Sequence, residues 1–79
     1  MKLLVYTLKG IAFEGEITSL NAKTASGEIT VLDHHRPLVT ILKKGELKIV
    51  GKTGEQKTIP VAEGFLEVRP GNEASAILG

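Results

Sequence analysis

The spacing of glycine is the feature of this 79-residue sequence that most limits its fold. Nine glycines interrupt the chain, at positions 10, 15, 27, 45, 51, 54, 64, 71 and 79. No uninterrupted segment places apolar residues at the i, i+3, i+4 and i+7 positions that mark an amphipathic helix. The segments are instead rich in β-branched residues, which favour strands. The sequence therefore predicts an all-β fold.

Several segments alternate between apolar and polar residues. In residues 46–50, Leu47 and Ile49 share one face, while Glu46 and Lys48 share the other. Residues 64–69 and 27–32 show the same alternation. This pattern is typical of strands with one buried face and one solvated face.

Turn-forming sequences separate these segments. The stretches KKG (43–45), GKTGE (51–55) and PGNE (70–73) are predicted to be hairpin turns. Pro60 predicts an edge strand or a strand end, because proline cannot donate to a ladder. So many turns in so short a chain predict one domain, residues 1–79, built as an antiparallel β-sandwich in preference to a small barrel.

Composition argues against several classes of protein. The chain has no cysteine, which excludes disulfides, iron–sulfur clusters and thiolate zinc sites. Its ten basic and nine acidic residues are interleaved, and its only aromatic residues are Tyr6, Phe13 and Phe65. A nucleic-acid partner is therefore not expected, since such binders gather basic stripes and stacking aromatics. No run approaches the roughly 20 apolar residues of a membrane span, so insertion into a membrane is not expected either.

The adjacent histidines, His34 and His35, raise the question of a metal site. Adjacent residues in an extended segment point to opposite sides, so the two rings are poorly placed to grip one ion. They are the only histidines, and Asp33 is the only acid close to them in sequence. We therefore expect a polar loop here, with one exposed and one packed histidine, and no metal.

Catalytic motifs are absent from the sequence. None of the three serines lies in a G-x-S-x-G elbow, and GKTGEQK lacks the spacing of a phosphate-binding loop. Glu28 lies at the start of an apolar strand, and composition alone predicts that it is a solvated carboxylate. The lysines near the turns read as edge-strand protection. The residues thus predict a binding protein without a cofactor, and they do not identify its partner.

The order of motifs is similar to that of a known family. The sequence contains Phe13-Glu14-Gly15, then GEITVL (27–32), HRPL (35–38), TILKKG (40–45) and GFLEV (64–68). This series resembles the N-terminal domain of the epsilon subunit of F-type ATP synthases, which is called delta in mitochondria. The resemblance covers essentially the whole chain in order.

The resemblance implies a flattened sandwich of two antiparallel sheets that has no catalytic residues. It implies a place in the rotor's central stalk, on the gamma subunit and on the loops of the membrane rotor ring. The complex synthesises ATP from proton or sodium flow at the cytoplasmic face of the bacterial inner membrane, where this subunit is peripheral. Glu28 matches an acidic position that contacts the ring loop, and His35, Arg36 and Thr40 fall on the gamma-facing segment.

Departures from the family pattern concern the same loop and the end of the chain. Asp33-His34 replaces the usual Pro-Gly, and Arg36 replaces a common alanine. Family members continue into a C-terminal helical hairpin that inhibits hydrolysis and in some cases binds ATP. This chain stops at Gly79, either as a naturally short version or as a chain cut at the domain boundary. We therefore expect neither that brake nor a nucleotide site.

Three hypotheses follow from the sequence. The first is the rotor coupling subunit, which predicts stoichiometric binding to gamma. The second is a stand-alone β-sandwich adaptor of another complex, which predicts indifference to gamma. The third is an enzyme or metal protein built on His34 and His35, which predicts bound zinc or a pH-dependent activity.

Overall fold

The computed structural model describes residues 1–79 and consists of strands joined by short connections. There are eight strands: β1 (Lys2–Thr7), β2 (Gly10–Thr24), β3 (Gly27–Leu32), β4 (Leu38–Leu42), β5 (Gly45–Gly51), β6 (Gln56–Val61), β7 (Gly64–Arg69) and β8 (Glu73–Leu78). No helix is present that could cross a membrane. The all-β prediction is confirmed.

Strand β2 joins the two layers of the sandwich. The strand order is β1-β8-β7-β4-β2-β5-β6, with β3 also paired to β2. The first half of the 15-residue β2 pairs with β1, and its second half pairs with β3 and β5. The pairing with β5 is irregular between Ile17 and Ser19, and such irregularities bend a strand. Because β2 changes partners along its length, the continuous sheet folds back on itself.

Two details differ from the sequence prediction. Strands β1 and β8 pair in parallel, whereas every other pair is antiparallel. The KKG stretch is not a hairpin turn, because β4 pairs with β7 and β2 while β5 pairs with β2 and β6. Residues 43–44 therefore connect strands that are not paired with each other. The predicted hairpins between β5 and β6 and between β7 and β8 are present, and Pro60 lies on the edge strand β6.

Alternate residues of the strands build one hydrophobic core. It contains 17 buried apolar residues, including Leu3 of β1, Leu20 of β2, Ile49 of β5 and Leu66 of β7. Full burial of such a side chain contributes about 1.5–3 kcal/mol to folding. β8 contributes the small Ala74 and Ala76, both fully buried. The alternation leaves the other half of each strand's side chains on the two outer faces.

Gly64 allows β7 to approach β8 closely, and this gives a testable prediction. A Cβ at position 64 would lie 2.3 Å from the carbonyl oxygen of Ile77, which is backbone and cannot rotate away. We expect Gly64→Ala to lower the free energy of unfolding by about 2–3 kcal/mol in urea denaturation. Gly15→Ala is the control, because its Cβ would meet only the Phe13 ring at 3.5 Å. Equal effects of the two substitutions would contradict the close approach.

Candidate functional site

One outer face of the sandwich carries an exposed row of large apolar side chains, which we call the apolar row. Its members, each directly opposite the next on neighbouring strands, are Ile11, Tyr6, Ile77, Phe65 and Ile41. Their exposed fractions lie between 40% and 58%. The row crosses five strands, β2, β1, β8, β7 and β4, a distance of about 19 Å at the usual strand spacing.

Further apolar side chains extend the row. Leu8 is 92% exposed and lines the same shallow groove of about 390 Å³ as Ile41, Phe65 and Ile77. Val39, two residues from Ile41 on β4, is 71% exposed. Single exposed apolar residues are common on protein surfaces, but a contiguous patch marks an interaction site. The apolar row is therefore the candidate functional site.

The same face becomes polar away from the apolar row. The next row of cross-strand neighbours, which we call the mixed row, is Glu14, Leu4, Ser75, Glu67 and Val39. Beyond it lies a charged row of Glu16, Lys2, Glu73 and Arg69. The Arg69 guanidinium lies 3.2 Å from Glu67 and 3.8 Å from Glu73, and it donates a hydrogen bond to Ser75 Oγ at 2.9 Å. The face thus changes from apolar to charged along the strands.

The opposite outer face, on β3, β2, β5 and β6, is mainly polar, although Leu32 is exposed on it. Thr58, Lys48, Asn21 and Thr30 form one cross-strand row there, in which Asn21 Nδ2 donates to Thr30 Oγ1 at 3.0 Å. An open groove of about 480 Å³ on this face is lined by Lys23, Lys44 and Lys48 together with Glu28 and Glu46. The two outer faces therefore differ sharply in polarity.

Glu28 lies where the sequence predicts, exposed at the start of β3. It pairs across the strands with Lys23 and lines the polar groove. His35 and Arg36 follow the other end of β3, so the structure does not bring them together with Glu28.

The 33–37 loop is held in place by Asn72. The backbone N–H of His34 donates to Asn72 Oδ1 at 2.7 Å, and Asn72 Nδ2 donates to Asp33 Oδ1 at 3.3 Å. Asp33 also pairs with the N-terminal ammonium of Met1. His34 and Asn72 both have left-handed backbones, with φ of 61°. The chain therefore turns at His34. The expectation that His34 and His35 lie in an extended segment, and so point to opposite sides, is wrong.

The remaining predicted residues have distinct environments. His35 is half-buried, and its Nδ1 donates to the carbonyl oxygen of Arg36 at 2.8 Å, which leaves Nε2 free for a partner. Arg36 is exposed. Thr40 is half-buried on the side of β4 that carries the core residue Leu42. Its neighbour Ile41 faces outward into the apolar row, a surface that the sequence pattern does not predict. No group of three or more His, Asp or Glu side chains is placed to hold a metal ion.

Comparison with known proteins shows the family. Residues 1–74 match the family described as ATP synthase, Delta/Epsilon chain, beta-sandwich domain, and the chain belongs to that family. The ATP synthase epsilon chain of Acinetobacter baumannii is 37% identical over 70 residues, 89% of this chain and 50% of that protein. The epsilon chain of Psychrobacter arcticus is 43% identical over 58 residues, 73% of this chain and 42% of that protein. The chain spans about half the length of these relatives.

Solved structures show the same fold. A chain of the Euglena gracilis mitochondrial ATP synthase, in a structure described as OSCP/F1/c-ring in rotational state 1, superposes with a TM-score of 0.89. The match covers 96% of this chain and 48% of that one at 21% identity. A chain of the Tetrahymena thermophila mitochondrial ATP synthase central stalk and c-ring gives 0.81 at 21% identity, covering 99% of this chain and 62% of that one. The sandwich architecture is therefore that of ATP synthase chains.

Asp33 gives a prediction about pH. Hydrogen bonds from the N-terminal ammonium and from Asn72 lower the pKa of Asp33 below its ordinary value of 3.8. A lowered pKa stabilises the fold above pH 3.8, and the stabilisation is lost as the pH falls through the folded-state pKa. We therefore expect Asp33→Asn to be less stable than the unmodified chain at pH 7 and equal to it at the acid end of a urea-denaturation series. Glu46→Gln is the control, because Glu46 is exposed and makes no ion pair within the chain. A difference between Asp33→Asn and the unmodified chain that stays constant with pH would contradict the assignment.

Proposed function

We propose that this chain is a non-catalytic central-stalk component of an F-type ATP synthase, which couples the gamma subunit to the membrane rotor ring. The observation that carries the proposal is the apolar row, an extended docking surface on a member of the delta/epsilon family. The similar chains come from structures described as F1/c-ring and central stalk/c-ring, which supports a place in the stalk.

The gamma subunit is the proposed occupant of the apolar row. Full burial of an Ile or Phe side chain is worth about 1.5–3 kcal/mol, so covering a half-exposed one contributes about 1 kcal/mol. Five such residues in register give a joint of useful strength, and Leu8 and Val39 enlarge it. An interface that turns with the rotor must be stiff. The face of a β-sheet is stiff because backbone hydrogen bonds between the strands hold the strands in register. His35 Nε2, Arg36 and the β4 segment around Thr40 complete the proposed gamma-facing surface.

The rotor ring is the proposed partner of the surface around the start of β3. Glu28 is exposed there and lines an open groove that also contains lysine side chains. A polar loop of the ring is proposed to bind in this groove. This arrangement supports a polar contact between the chain and the ring loop. Insertion of the chain into the membrane is not proposed. The subunit acts peripherally, at the cytoplasmic face of the membrane in a bacterium, with protons or sodium as the driving ion. The chemistry of ATP belongs to other subunits.

Binding to gamma tests the function directly. Titration calorimetry of the chain with the gamma subunit from the same source is expected to give one-to-one binding. Ile77→Ser removes a member of the apolar row and should weaken the affinity about 10- to 100-fold, as central interface residues do. Leu32→Ser is the matched control, because Leu32 and Ile77 are both 56% exposed but lie on opposite faces. A folded chain that ignores a folded gamma would favour a stand-alone adaptor instead.

Glu28 gives a separate test of the contact with the ring. In a reconstituted complex, Glu28→Lys is expected to reduce the number of ions pumped per ATP hydrolysed, because it reverses the charge presented to the ring loop. Stability should change by less than about 1 kcal/mol, since Glu28 is exposed and the substitution places a lysine opposite Lys23. Glu55→Lys, in the turn between β5 and β6 and outside the groove, is the control. Unchanged pumping in Glu28→Lys would remove this residue from the coupling surface.

A further inference from the structure

We infer that the partner element covering the apolar row carries basic side chains along one edge, placed against Glu14 and Glu67. The inference rests on the proposed function, which supplies the partner, and it adds the chemistry and the orientation of that partner.

The acidic residues border the apolar row on one side only. Glu14 and Glu67 belong to the mixed row, which lies immediately beside the apolar row on the same face. At the opposite border the strands end, and the charged residues there are of both signs: Lys9, Lys43 and Glu63. A partner lying on the apolar row therefore meets two carboxylates along one edge, and basic side chains along one edge of the partner would favour one orientation over the reverse.

The two carboxylates are available for a partner to different degrees. Glu14 is exposed and makes no ion pair or side-chain hydrogen bond within the chain. Glu67 is 52% exposed and is contacted on one oxygen by Arg69 at 3.2 Å. The other acids nearby are already shared, since Glu16 lies 3.9 Å from Lys52 Nζ and Glu73 lies 3.8 Å from Arg69. The negative edge that a partner meets is thus mainly that of Glu14 and Glu67.

The spacing of these residues sets a geometric requirement. Glu14 lies on β2 and Glu67 on β7, with β1 and β8 between them. Three strand spacings amount to about 14 Å. The partner must therefore present an apolar stripe with lysine or arginine at two points about 14 Å apart along one side.

A second copy of this chain is the competing occupant of the apolar row. Its Lys9 and Lys43 border its own apolar row where the strands end, and neither makes an ion pair within the chain. The gamma subunit is preferred as the occupant because the chain belongs to the delta/epsilon family and similar chains occur in structures of the central stalk. Self-association of the chain is therefore one of the outcomes that the test must distinguish.

Charges at the rim of an interface act mainly on association rate and on salt dependence, and this determines the experiment. The chain is titrated with the gamma subunit at 50 and 500 mM salt, with the double variant Glu14→Gln, Glu67→Gln in parallel. We expect the unmodified chain to lose about tenfold in affinity at high salt. The double variant should bind about tenfold more weakly at low salt and respond little to salt. The control variant Glu46→Gln, Glu55→Gln removes two charges away from the docking face and should behave as the unmodified chain.

Three outcomes would overturn the inference, and they are distinguishable. A complex whose affinity responds neither to salt nor to the double variant would leave gamma as the partner but remove the basic edge. The absence of a complex at both salt concentrations would overturn the proposed function and the inference with it. A chain that sediments alone as a dimer, and becomes monomeric with Ile77→Ser, would assign the apolar row to a second copy.

Discussion

The pairing of β2 with four other strands is the constraint on which the rest of the structure depends. Its first half pairs with β1, and its second half pairs with β3, β5 and, through Thr24 opposite Leu42, β4. Because one strand serves both layers, the sheet closes over a single cluster of apolar side chains. A chain of 79 residues without cysteine has no disulfide to support it, so its stability depends on this core.

The same pairing determines which surfaces are left for function. Once alternate side chains are committed to the core, the registers align the others in rows on the outer faces. On one face these rows run from Ile77 and its neighbours to the charged residues around Arg69. On the other face they are mainly polar, with Lys48 and Asn21 at the centre and Leu32 as an exposed apolar residue. A domain with one apolar outer face and one polar outer face suits a joint between two partners, and an active site is not needed for that role.

The sequence predicts the features that depend on neighbouring residues, and it misses those assembled from distant ones. The alternation around Leu47 and Leu66 was sufficient to identify strands, and Pro60 to identify an edge. The sequence at residues 43–45 predicts a hairpin that the structure does not have, because a short turn cannot reveal that its two strands pair elsewhere. The apolar row was missed because its five members come from five strands and become neighbours only through the registers. Apolar residues on both faces of β4 and β8, such as Ile41 and Ile77, were the available signal.

The roles of Glu28, His35, Arg36 and Thr40 stay predictions, since the contacts that define them belong to partners.

The absence of cysteine makes one measurement particularly direct. Ile77→Cys places a single thiol in the apolar row, and Thr58→Cys places one on the exposed polar face. The rate of maleimide labelling of each variant is measured alone and with a saturating amount of the gamma subunit. We expect gamma to slow the labelling of Ile77→Cys at least about tenfold and to leave that of Thr58→Cys unchanged, because the core of an interface excludes solvent. Protection of Thr58→Cys, or a complex that leaves Ile77→Cys fully reactive, would contradict the assignment of the apolar row as the docking surface.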